Sequence, residues 1–404
     1  MNPKKLKYKR EVVSKLYFSG ELSSTDLSKL IDKSIPLTTK ILGELIEEEV
    51  VLETGHASST GGRRPVMYAL KEDVYYIVCV ALDQFVARIT ITDMQNRFVK
   101  PVEKFELALP RNPDALEALT DCIKEYLSTS GISRKKIIGI GIGMPGFVDA
   151  KKGINYSFMK TRGKSISQTI SEATGLPVYI DNDSSLIALA ELRFGAVKHK
   201  SNAMVVNIGW GIGLGMVLNR SLFRGQEGFA GEFSHIPLFQ NGKMCSCGKT
   251  GCLETETSLL VIIEKAKKEL EAGRTSMMQL MPMDHYEQAS ETIISAAIEG
   301  DRYAIELFSE AGYNIGRGLA ILIHLLNPEV IVLSGRGASA GKVWLAPMQQ
   351  ALNEHCIPRL VMHTSMELST LGYNAELIGA AALVMENYES RDVKKSLNAD
   401  ISVA

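Results

Sequence analysis

The 404-residue chain exceeds the roughly 250–300 residues that one hydrophobic core can serve, so more than one domain is expected. A formal net charge of −1 excludes a chain that is polycationic throughout, and the 45% hydrophobic and 23% charged fractions belong to an ordinary globular protein. Six cysteines are too few for a disulfide scaffold, "MNPKKLKYKREVV" lacks the apolar core of a secretory leader, and "GLAILIHLLNP" is too short to cross a bilayer; a soluble cytoplasmic protein without membrane insertion is expected.

Charge is unevenly spread. Residues 1–43 hold nine Lys or Arg against four acids, a basic head on a mildly acidic body. Leu6 to Gly20 carries apolar residues at 12, 13, 16 and 17, which is helical spacing, and Gly20 ends it. Ser23 or Ser24 caps a second helix in "SSTDLSKLI". Ser34 caps a third, with Pro36 in its first turn and Thr38, Ile41, Leu42 and Leu45 on one inward face. "VVLETG" and "GGRRPVMYAL" read as two strands around a glycine-rich tip. Three helices followed by a hairpin predict a winged helix-turn-helix DNA-binding domain over residues 1–72. Its third helix would present Ser34, Ile35, Pro36, Thr39 and Lys40 to the major groove, with Ser34 near a phosphate and Ile35 near a thymine methyl. Arg63 and Arg64 at the wing tip suit phosphate or minor-groove contact. A three-helix module for oligomerisation or protein binding is the alternative.

From Val74 onward the texture is α/β. Strands are expected in "YYIVCVALDQ", "VARITITD", "KIIGIGIGMPGFVD" and "LPVYIDND", with helices in "ALEALTDCIKEYL" and after the acidic corner at 181–183. "NAMVVNIGWGIGLGMVLN" is a glycine-rich hairpin, and "AGYNIGRGLAILIHLLNPEVIVLSGRG" a helix, a break, a strand and a glycine turn. Glycines at strand ends let backbone approach a ligand, and several together point to a nucleotide or sugar site. "GWGIGLG" at 209–215 is no dinucleotide fingerprint, because strand-to-helix context and the distant acid are both missing.

His235, Cys245, Cys247 and Cys252 stand as H-x9-C-x-C-x4-C. One imidazole and three thiolates form a closed tetrahedral set, so a structural Zn2+ is expected, with no open position for water. "CGKTGC" bends at two glycines and lets the thiols converge. A redox pair would need C-x-x-C in a thioredoxin-like setting, which is absent. Cys79, Cys122 and Cys356 are scattered and read as ordinary thiols.

These pieces resemble the ROK family of repressors, open reading frames and sugar kinases. "GEFSHIPL", "CSCGKTGCLE", "IDNDSSLIALAE", "GIGMPGFVD" and "NPEVIVLSG" carry the likeness, and the winged head with "GGRRP" is similar to the repressor branch, which includes xylose and N-acetylglucosamine repressors. The resemblance implies an actin-like ATPase (ribonuclease H-like) α/β body of two lobes around a cleft, the first over residues 73–185 completed by 375–404, the second over 186–374 with the zinc motif. It also implies sugar binding by Asn182, Asp183, Glu232, His235 and Glu254, with Asp183 as the base if the protein were a kinase. Read without the family, Glu254 is a solvated turn acid and the acids at 181–183 cap a helix.

Family kinases open the body with Asp-x-Gly-Gly-Thr, whose glycines let amides reach ATP phosphates. Here Asp83 is followed by Gln84, Phe85 and Val86, and Trp210 stands where kinases carry threonine. "AKKGINYSFMKTRGK" likewise departs from the kinase sugar loop. The expectation is therefore a non-enzymatic, sugar-responsive regulator of carbohydrate genes. It would bind operator DNA and a sugar or sugar derivative as a homodimer or tetramer, and a sugar-transport protein is a compatible further partner. The alternative is an ATP-dependent sugar kinase with an appended regulatory domain.

Overall fold

A computed structural model describes residues 3–57, 64–159, 161, 163–279, 282 and 285–390. Arg63, one of the two wing-tip arginines, lies outside the described residues. The chain divides into two compact units, residues 1–181 with 380–404, and residues 182–379. Among the described residues no helix is long and apolar enough to cross a membrane.

The first unit opens with α1 (Pro3–Ser19), which buries Val12, Val13, Leu16 and Tyr17, the expected stripe. Gly20 adopts φ 81° and its amide returns to the Leu16 carbonyl at 2.8 Å, which stops the helix. A strand not foreseen from the sequence follows, β1 (Glu21–Ser23), then α2 (Ser24–Leu30), α3 (Ile35–Glu47), β2 (Val51–His56) and β3 (Val66–Leu70). The small sheet has the order β1-β3-β2. Ser23 caps α2 by accepting from the Asp26 amide at 3.1 Å. Ser34 occupies the N-cap position of α3, but its side chain makes no capping hydrogen bond, contrary to the expected cap. Thr38, Ile41, Leu42 and Leu45 are buried, as their spacing predicts.

Lys9 was counted with the basic head. It is instead 6% exposed and lies between Glu44 at 3.1 Å and Glu48 at 2.6 Å, while Lys5 reaches Glu44 at 2.7 Å. Burial works against the Lys9 ammonium, yet the hydrogen bonds it donates to the two carboxylates outweigh this and its pKa rises. These pairs clamp α1 to α3 and remove one cation from the surface a nucleic acid could meet.

Next come β4 (Tyr76–Leu82), β5 (Val86–Thr92), β6 (Glu103–Glu106), α4 (Ala115–Thr129), β7 (Ile137–Met144), β8 (Val148–Asp149), β9 (Ile154–Asn155), α5 (Ile166–Thr174) and β10 (Val178–Asn182). The sheet order is β6-β5-β4-β7-β10, with β5 antiparallel to both neighbours and β4 parallel to β7. Both faces are covered, so β4 and β7 are apolar along nearly their full length.

The second unit repeats this order. It holds α6 (Asp183–Phe194), β11 (Ala203–Ile208), β12 (Ile212–Leu218), β13 (Ser221–Phe223), α7 (Glu254–Thr257), α8 (Leu259–Glu271), α9 (Tyr286–Ile298), α10 (Arg302–Leu326), β14 (Val330–Ser334), α11 (Lys342–His355), α12 (Pro358–Val361) and β15 (Ser365–Leu368). Its sheet runs β13-β12-β11-β14-β15, two antiparallel pairs and then two parallel ones. This duplication is the α/β plan of an actin-like body. Two glycines of "GWGIGLG" serve packing here. A Cβ at Gly213 would fall 2.0 Å from Ser184 Oγ, and one at Gly215 2.3 Å from the Ala188 methyl, so both seat α6 on β12.

The last helix, α13 (Ala375–Ser390), begins in the second unit and ends in the first. Near its end Tyr388 lies under the Arg10 guanidinium at 5.4 Å, and Glu389 pairs with Lys15 at 3.1 Å. Tyr17 of α1 also donates to Asn96 at 3.1 Å.

Candidate functional site

The donor atoms of His235, Cys245, Cys247 and Cys252 lie within 4.8 Å of one another. Cys247 and Cys252 Sγ are 3.6 Å apart, and Cys245 Sγ is 3.4 Å from His235 Nδ1. Zinc bonds near 2.0–2.3 Å give tetrahedral edges of roughly 3.4–3.8 Å, so the spacing fits zinc, whereas a disulfide would need about 2.05 Å. A bound cation would also suit the thiols. Burial and its two thiol neighbours push Cys252 up to about 12, while the Lys249 amide draws Cys247 down. A divalent ion removes that conflict. When bound, zinc would supply a rigid node and no reactive position.

The loop is shaped for this. Gly251 has φ 77°, and a Cβ on it would lie 2.0 Å from the Phe239 carbonyl oxygen, so no other residue fits. Short bridges pair Pro237 with Cys252 and Met244 with Thr250.

The expected sugar residues flank the metal loop. Glu232 precedes the single helical turn Phe233–His235, and Glu254 opens α7 two residues after Cys252. His235 faces both ways: Nδ1 looks to Cys245, and Nε2 is 3.6 Å from Glu232 Oε2. Glu254 Oε2 accepts from the Ile212 amide at 3.2 Å. Burial raises the pKa of both acids; for Glu232 the nearby Glu254 adds to the rise, while His235 opposes it in each.

Asn182 is the N-cap of α6 and accepts from the Ser185 amide at 3.1 Å, so it performs the capping role that residues alone suggested. Asp183 is half-buried. Its Oδ1 accepts from the Ser184 amide at 2.7 Å, and its Oδ2 from Asn207 Nδ2 at 3.3 Å. Burial pushes its pKa up to about 6; hydrogen bonds from Ser184 and Asn182 oppose this, and the Glu232 charge adds to it. Asn207 was missed in the sequence. The signal was there, a polar residue at the end of an apolar strand.

The turn at Asp83 is closed on itself. Asp83 Oδ1 accepts from the amides of Phe85 at 2.8 Å and Val86 at 2.9 Å. The carbonyls of Gln84 and Phe85 take the amides of Leu109 and Leu107. Two amides of this turn are thus engaged by its own carboxylate.

Trp210 sits in the turn between β11 and β12 and is buried. The Arg336 guanidinium lies 4.6 Å from its ring and 4.5 Å from that of Tyr373. Arg336 also donates to Glu287 at 2.9 Å and to the Tyr373 hydroxyl. Sequence reading found Trp210 but not this group, whose members are up to 163 positions apart, from 210 to 373.

On the head, Ser34, Ile35, Pro36, Thr39 and Lys40 are all exposed, Ile35 at 47%, and Arg64 is exposed at the end of the wing. An apolar side chain this open at a helix N-terminus is what a groove contact would use.

The ROK family model matches residues 87–387. The chain belongs to the ROK family. It is 29% identical over 372 residues to a xylose repressor of Caldicellulosiruptor bescii, covering 91% of this chain and 92% of that protein. It is 33% identical over 277 residues to a glucokinase of Halalkalibacterium halodurans, covering 68% of this chain and 84% of that one. Among solved structures, a ROK family transcriptional regulator described as a homologue of the E. coli Mlc protein superposes with a TM-score of 0.77. That pair shares 27% identity over 96% of this chain and 97% of the other. The likeness to the repressors thus extends through the N-terminal helical region as well as the body.

Proposed function

We propose that this ROK protein is a sugar-responsive transcriptional repressor and not an enzyme. It binds operator DNA through residues 1–72 and a sugar or sugar derivative through Asp183, Glu232, His235 and Glu254. One observation carries the reading. A helical head with a small sheet and a cluster of Asp183, Glu232, His235 and Glu254 occur in one chain whose Asp83 turn is closed by its own carboxylate. Asn182 and Asn207 hold Asp183 in place, and Zn2+ on His235, Cys245, Cys247 and Cys252 holds the other three groups. The working form is a cytoplasmic homodimer or tetramer reading paired half-sites, with a sugar-transport protein as a compatible partner. The lobe boundaries expected above, 73–185 with 375–404 and 186–374, belong to the same reading. A kinase remains the rival because Asp183 has the raised pKa of a general base. Incubation with ATP and a pentose and hexose panel decides between them: no phosphorylated sugar, with sugar-dependent operator binding, supports the repressor, and turnover overturns it.

Sugar affinity should depend on pH through Asp183. A sugar hydroxyl donates to the ionised carboxylate, so affinity falls as pH drops through about 6. Between pH 7.5 and pH 5 the loss is about tenfold, and Asp183→Asn flattens the profile. Calorimetric titration at both pH values reads this, and an unchanged wild-type affinity refutes it. Stability moves the other way. The folded pKa exceeds the unfolded value, so this group's contribution is greatest below the unfolded pKa and is lost as pH rises through about 6.

Phosphate contacts make operator binding salt-dependent. Lys40→Ala should lower the log–log salt slope by about 0.9, whereas Ile35→Ala should relax one base preference by roughly 1–3 kcal/mol at unchanged slope. Identical slopes for Lys40→Ala and wild type would remove Lys40 from the interface.

A further inference from the structure

We propose that Trp210 and Arg336 form the positioning element that carries sugar occupancy to α13 and so to the DNA-binding head; this rests on the sugar-effector reading above. The turn 209–211 has two supports. On one side the Ile212 amide donates to Glu254 Oε2, and a Cβ on Gly211 would lie 2.5 Å from that oxygen, so the carboxylate rests on the turn itself. A Glu254 that turns to accept a sugar hydroxyl gives up or redirects that support. On the other side the Trp210 ring leans on Arg336, which is shared with Tyr373 and tied to Glu287. A planar cation between two rings and bonded to a carboxylate has few orientations open to it, so the group shifts as one piece.

Tyr373 stands two residues before Ala375, where α13 starts. The helix runs unbroken to Ser390, and its last turns carry Tyr388 against Arg10 and Glu389 against Lys15 of α1. A shift at the start of a rigid helix is delivered at its end, because interior packing does not absorb it smoothly. The residues that read the sugar and those that grip the head are thereby joined through side chains that touch neither ligand.

The test uses the full-length, zinc-loaded protein, a DNA fragment from its own upstream region, and D-xylose, D-glucose and N-acetyl-D-glucosamine as probes. Three quantities are measured for wild type, Arg336→Met, Arg336→Lys and Trp210→Phe: probe affinity, operator affinity without sugar, and the change in operator affinity at saturating sugar. The first two should stay within about threefold of wild type, while the sugar-induced change shrinks about tenfold in Arg336→Met and less in Arg336→Lys. A sugar-induced change in tryptophan emission should vanish in Trp210→Phe. A full operator response in both Arg336→Met and Trp210→Phe overturns this inference alone. If Arg336→Met loses both affinities through misfolding, Trp210→Phe decides by the same criterion. Absence of binding by every probe to wild type overturns the effector reading and this inference with it.

Discussion

Cys252→Ser should strip the protein of zinc and lower its stability by about 4 kcal/mol or more, placing it in the rare class of severe single substitutions. The reason lies in how little else holds the loop. Between 240 and 250 only Cys245 is buried, and the remaining residues contribute few apolar contacts. Backbone ties there are short and local, such as Cys245 to Lys249 and Gly251 to Lys243. Cys252 is fully buried, so an unmetallated serine hydroxyl would be left in apolar surroundings. The damage should also reach the sugar, because Glu232 and Glu254 leave the loop at its two ends. Metal analysis, thermal unfolding and sugar titration measure all three effects. A variant that keeps one zinc per chain and its wild-type melting temperature would refute the metal assignment.

Charge reversal at the head should be equally severe for DNA and nearly silent for sugar. Lys40→Glu combined with Arg64→Glu replaces two phosphate partners by repulsion, and operator affinity should fall roughly 10³-fold. Both side chains are exposed, so the fold should survive and sugar affinity should change less than about twofold. This is a cleaner test than removing residues 1–70, which would also uncover Tyr388 and Asn96 where α1 now packs. Operator binding that persists in the double variant would move DNA recognition away from α3 and the wing.

Local patterns were readable in the sequence and distant ones were not. The inward stripes of α1 and α3 follow from helical period, and the three cysteines of the candidate metal site come together because glycines bend a short loop around them. Lys9 was misread because its partners Glu44 and Glu48 lie on another helix. Gly213 and Gly215 suggested ligand approach, yet they face α6, which only the tertiary fold reveals. β1 escaped because three residues carry no alternation to detect. The loss of the phosphate cradle could be suspected from missing glycines at 84–86, but the carboxylate that closes the turn could be seen only in three dimensions.

That closed turn has a consequence for signalling. A kinase consumes what it measures: each molecule sensed is altered and released as something else. On the repressor reading proposed above, with the Phe85 and Val86 amides engaged by Asp83, a bound sugar would depart unchanged and could bind again. Such a regulator would report the concentration of its sugar without drawing on ATP. Its response is reversible and set by equilibrium alone, so dilution of the sugar is sufficient to reset it.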